Sequence, residues 1–166
     1  ELSKRFTILD SFNKEAALDN ETGLVWEMIP ARVMTVWKNA AGTCAKKTVG
    51  GKGNWRLPSL KELETLADHT IYPPPALISG HPFSNIELHG YWTATEHEEY
   101  PVSAWDVNFD YGIIGNDFKV NRNFVWCVHD KEYSYQNRVF GHWVICRGGP
   151  KPPLLFPALN QVHRFH

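Results

Sequence analysis

Cysteine is scarce in this chain, and the few residues present lie far apart. Its three cysteines, Cys44, Cys127 and Cys146, form no C-x-x-C pair, which argues against a zinc ribbon or a thioredoxin-like redox centre. Two readings stay open: three buried free thiols, or one long-range disulfide with a leftover thiol, the second favoured if the protein is exported. An excess of one charge is missing too. Lys and Arg number 17 against 18 Asp and Glu, and no Lys/Arg run exceeds two residues. The basic stripe of a nucleic-acid or anionic-membrane binder is therefore absent. No apolar stretch approaches the roughly 20 residues of a spanning helix, so membrane insertion is not expected. The chain opens without a basic-then-apolar leader, so an intact cytosolic protein and a trimmed, exported mature chain read alike here, and the second is the expectation once the resemblance below is added. Catalytic signatures are also lacking. There is no G-x-S-x-G and no H-E-x-x-H, and the eight histidines show no i, i+4 pair within either helix candidate. A binding protein without a catalytic centre or cofactor is the expectation.

What the chain has is aromatic bulk. Hydrophobic residues make up 43% and seven Trp are present, enough to fill the core of one domain. Residues 5–9 read as a short strand. Residues 17–26 read as a turn feeding a buried strand, with Gly23 free to take positive φ. Val33, Val36, Trp37, Ala40 and Cys44 recur at helical spacing and predict a helix over 33–47 with Cys44 on its apolar face. A second helix follows Pro58, where Ser59 and Glu62 make an S-x-x-E capping box and Leu60, Leu63 and Leu66 supply the buried stripe. Beyond a proline-rich loop from Tyr72 to about His89, strands are expected over 91–95, 103–109, 124–128 and 142–146, with a turn at Tyr111-Gly112. Helices first and strands later make an α+β domain over residues 1–149. Residues 150–166 read as a proline-rich extended tail.

Five segments, in order, resemble the Lcl C-terminal domain family, named from a bacterial collagen-like adhesin. Residues 19–27 (Asp-Asn-Glu-Thr-Gly-Leu-Val-Trp-Glu) match its opening D-N-x-T-G-L-x-W motif. Residues 55–59 (Trp-Arg-Leu-Pro-Ser), followed by Glu62-Leu63, match its W-R-L-P-[ST]-x-x-E-L signature. Residues 91–95 and 104–109 match two strand motifs, and Lys119 with Val125-Trp126-Cys127-Val128-His129 stands at the closing motif. The match covers about residues 17–130. Trp126 and His129 replace arginines usual in that closing motif. The resemblance implies a C-type-lectin-like fold, two helices packed on a mainly antiparallel twisted sheet. It also implies a disulfide from Cys44 to a late cysteine, either Cys127 at the family motif or Cys146 at the lectin-like terminal strand. By itself, the W-R-L-P motif reads as a folding signature, with Trp55 and Leu57 as anchors and Arg56 paired to a carboxylate or carbonyl.

Function is expected to be recognition of a glycan or other surface polymer by an extracellular or cell-surface adhesion module. The alternative is a structural subunit of a pilus or filament-like assembly. Candidate ligand contacts are Tyr111, Trp126, Tyr133, Tyr135, Asn137, Arg138 and Trp143, since aromatic faces stack on sugars and Tyr, Ser, Asn and Arg dominate recognition loops. Glu96, Asp106, Asn108 and Asp110 offer a candidate Ca²⁺ set, weighed against a merely solvated polar sheet face; Ca²⁺ takes about six to eight oxygens. In the tail, Leu154, Leu155, Phe156 and Leu159 are too apolar for open solvent, so a homo-oligomer held by that arm is expected.

Overall fold

The computed structural model describes residues 5–130. Within them the chain builds two sheets and two short helices, an α+β arrangement. Strands β1 (Phe6–Ile8), β2 (Ala16–Asp19) and β3 (Leu24–Glu27) form an antiparallel meander. Gly23, at φ 75°, turns β2 into β3 and donates its N–H to the Asp19 carbonyl at 2.8 Å. A last strand, β9 (Val128–Asp130), returns to pair antiparallel with β3 and completes the order β1-β2-β3-β9.

The second sheet holds β4 (Met34–Val36), β5 (Gly90–Glu96), β6 (Ser103–Asn108), β7 (Ile113–Phe118) and β8 (Arg122–Phe124), in the order β4-β8-β5-β6-β7. Its pairs are antiparallel except β5 with β8. Helix α1 (Trp37–Ala45) follows β4, and α2 (Leu60–Leu63) runs into a single 3-10 turn, Glu64–Leu66.

Side chains alternate along a strand, so neighbouring residues feed different cores. Trp26 and Tyr91 join Leu63, Leu66, Val107, Phe109 and Trp126 in one buried cluster. Val25 and Trp92, one residue away in each strand, join Phe12, Ala40, Cys44, Trp55, Leu57 and Cys127 in the other. The bridge is Cys44–Cys127, with Cα atoms 5.5 Å apart. It ties α1 to the link between the two sheets, and Cys146 lies outside the described residues.

Several expectations need correction. The first helix covers nine residues, not 33–47, because Met34–Val36 extend to pair with β8 and Val36 keeps β-region angles at the helix start. Val33 is exposed and outside the stripe, while Ala40 and Cys44 are buried as the spacing required. The single strand expected over 124–128 is two strands in different sheets, with Val125, Trp126 and Cys127 crossing between them. There are two sheets rather than one, and β2 and β7 are strands that the pattern did not reveal. The strand over 142–146 and the tail over 150–166 lie outside the described residues.

Candidate functional site

Three polar constellations stand out, and two of them hold the fold together. The first lies in the W-R-L-P segment. Ser59 accepts from the Glu62 N–H and the Glu62 carboxylate accepts from the Ser59 N–H, the reciprocal capping box that the sequence predicted. Arg56 donates to both Glu62 oxygens at 2.8 Å and to Asp130 at 2.6 Å, while its backbone bridges Val128. The guanidinium beside them holds both carboxyls below the usual range. The motif thus clamps α2 to β9, and Trp55 and Leu57 are buried as its anchors.

The second surrounds the disulfide. Glu27 is 1% exposed, accepts the Cys127 N–H at 2.8 Å and receives Lys47 on both oxygens, at 2.7 and 2.5 Å. Burial pushes its carboxyl up, although Lys47 pulls the other way. Sheet, helix end and disulfide meet at this one carboxylate.

The third constellation is different, because its buried carboxylate receives no side-chain hydrogen bond among the described residues and is eased only by the charge of nearby His89. On one face of the five-stranded sheet, β6 places Asp106 between Gly90 of β5 and Gly115 of β7. A Cβ on Gly90 would lie 2.3 Å from Asp106 Oδ2, and one on Gly115 would lie 2.9 Å from Oδ1. Only glycine on both flanks lets this carboxylate lie flat on the sheet. Asp106 is 7% exposed, yet apart from its own backbone N–H no donor among the described residues reaches it. Burial first, and then the nearby Asp117 carboxylate, push its pKa up to about 6.

Asn123 of β8, 2% exposed, sits beside it, its Oδ1 3.3 Å from the place a Gly90 Cβ would take. Its amide reaches Asp117 Oδ2 only at a long 3.4 Å, while Asp117 Oδ1 accepts from the Phe118 N–H and from Asn121. The result is a patch rich in acceptors, with a buried carboxylate short of donors.

The sequence-derived Ca²⁺ set does not converge. Glu96 is ion-paired to Lys119 at 2.6 Å, and Asn108 Oδ1 is taken by the Asp110 N–H at 2.8 Å. Among the described residues, no three His, Cys, Asp or Glu side chains are grouped to hold a metal ion. On the expected solvated face Asp106 is buried by its neighbouring strands, while Asn108 and Asp110 are half-buried. Tyr111 is exposed at the β6–β7 turn, as a contact residue must be. Trp126 is not available as one: it is fully buried against Trp26, Phe83 and Phe109 and donates to the Glu27 carbonyl. His129 likewise packs edge-on against Phe12 and Trp55, so both departures from the closing motif are core residues. Tyr133, Tyr135, Asn137, Arg138 and Trp143 lie outside the described residues, as do Leu154, Leu155, Phe156 and Leu159.

Asp117, Asn123 and the two glycines were missed by sequence reasoning. The available signal was Gly90 and Gly115, each set inside or at the start of a strand, where glycine marks a close approach.

Compared with known proteins, residues 15–129 match the model of a family described as the Lcl C-terminal domain. No curated protein gives a significant match.

Proposed function

The chain belongs to the Lcl C-terminal domain family, and from that premise we propose a C-type-lectin-like, extracellular adhesin-like module that binds a hydroxyl-rich surface polymer, a glycan above all. It acts by binding and not by catalysis. The disulfide supports an oxidising compartment outside the cytosol.

One observation carries the glycan reading: the buried carboxylate of Asp106, with Asp117 and Asn123 beside it and no donor for its oxygens among the described side chains. A buried carboxylate that receives no side-chain hydrogen bond costs stability. Sugar hydroxyls donate to carboxylates and also accept from an amide such as that of Asn123, so a polyol satisfies both kinds of group at once. The charged form binds hydroxyls best, so affinity falls as pH drops through about 6.

The test is binding to a panel of immobilised polysaccharides by the intact chain, by Asp106→Asn and by Asp117→Asn. Saturable binding of the parent chain to at least one polymer, weakened about tenfold or more in both variants, is the expected outcome. A chain that binds no polymer, or variants that bind as the parent does, would reject the reading. The second reading, a filament subunit, depends on contacts between copies.

A further inference from the structure

Among the described residues the five-stranded sheet ends in β7, the longest edge strand of the two sheets. The other sheet edges, β1, β4 and β9, are three residues each, and β9 is further covered by the backbone of Arg56. β7 has six residues and shows solvent Ile113, Ile114 and Phe118, the last 57% exposed. Long apolar edges are usually blunted, because their free backbone groups template another strand.

The hydrogen bonds show which groups are free. Lys119 donates its N–H to the Val102 carbonyl, and Ser103 uses its carbonyl toward His97 on the β5 side. In an antiparallel ladder the bonded pairs alternate. Ile113, Gly115 and Asp117 therefore face β6, and Ile114, Asn116 and Phe118 point their backbone outward. Phe118 is already served, its N–H by Asp117 Oδ1 at 2.8 Å and its carbonyl by the Asn121 N–H at 2.8 Å. Among the described residues, the outward groups of Ile114 and Asn116 have no partner.

We propose that β7 pairs antiparallel with β7 of a second copy about a two-fold axis at Gly115, so that Ile114 of each copy bonds Asn116 of the other. The occupied groups of Phe118 exclude the register centred on Asn116, which would need them, and the register centred on Ile114 would pair Asn116 with Gly112, outside the strand. In the allowed register the two Gly115 residues meet at the axis with no side chains between them. Ile114 and Phe118 from both copies form one apolar seam, as diagonal neighbours on one face. Charge permits it: each Asp117 lies opposite Ile113, about 13 Å along the seam from its mate, beyond the Debye length of about 8 Å. With a formal net charge of −1, the copies repel little. This pairing does not rest on the glycan reading, and it leaves Asp106 on the sheet face.

The experiment is sedimentation equilibrium of the full chain over a wide concentration range, with amide hydrogen exchange at the dilute and concentrated ends. A reversible dimer of twice the 19.0 kDa chain mass is expected, with the Ile114 and Asn116 amides protected only at high concentration. Asn116→Pro removes an outward N–H that β6 does not use, so it should halve the mass and leave the thermal melt unchanged. Should that variant fail to fold, Ile114→Lys keeps every ladder bond and serves instead, a monomer supporting the pairing and a dimer overturning it. A parent chain monomeric at every concentration would overturn it. So would a dimer with unchanged exchange at Ile114 and Asn116, or a dimeric Asn116→Pro.

Discussion

Asp106→Asn removes a buried charge while keeping the side chain's shape, and its effect follows from the site. Burial, with Asp117 adding to it, raises the carboxyl from its ordinary value of 3.8 to about 6. At about 1.4 kcal/mol per pH unit, this amounts to about 3 kcal/mol against folding once the group is ionised in both states. The sign is opposite to that of a salt-bridged acid. The native state binds the proton more tightly, so the penalty is full above about pH 6, shrinks as pH falls through that value, and is gone below the unfolded value near 3.8. A neutral amide at this position carries no such penalty, so the variant should be more stable than the parent by about 3 kcal/mol at about pH 8, with the two converging near pH 4. Urea denaturation of both proteins across that range, with the disulfide intact, measures the difference directly. A variant less stable than the parent at alkaline pH, or a gap that does not change with pH, would show that Asp106 is neither strained nor uncompensated.

Two further outcomes concern the supports of the fold. Closing a loop of 83 residues is worth about 4.5 kcal/mol by chain entropy, so Cys44→Ala with Cys127→Ala should lose a large part of that in denaturant melts. Non-reducing peptide mapping should recover the 44–127 link, and a melt unchanged by the double replacement would contradict its role. Glu27→Gln should cost roughly 3 kcal/mol, because it strands the Lys47 ammonium in a largely buried place. Adding Lys47→Met should recover part of the loss, and no recovery would mean that Glu27 acts through Cys127 and not through Lys47.

Much of the fold was legible because its signals are local. The capping box of Ser59 and Glu62, the turn at Gly23 and the apolar periodicity that buries Cys44 each depend on residues within a few positions. What the chain concealed was pairing at a distance. Residues 124–128 read as one strand because every residue suits a strand. That the chain changes sheets at Val125 to Cys127 depends on partners about a hundred residues earlier, such as Glu27. β7 was hidden by its composition, since Ile113-Ile114-Gly115-Asn116-Asp117-Phe118 lacks clean alternation, and as an edge strand it needs none. The neighbours of Asp106 were hidden in the same way. Asp106 was singled out from the sequence, with companions sought along the strand at Asn108 and Asp110. The sheet instead supplies them from across it, at Gly90, Gly115, Asp117 and Asn123.

A residue that costs stability and whose removal strengthens the fold is characteristic of a functional position. The most direct test of the whole account is to map where a bound sugar sits, by recording backbone amide chemical shifts of the intact chain during titration with a soluble oligosaccharide from a polymer that it binds. The account predicts saturable shifts centred on Gly90, Asp106, Gly115, Asp117 and Asn123, weakening as pH falls through about 6. Saturable shifts confined to other residues, with this face unmoved, would contradict it.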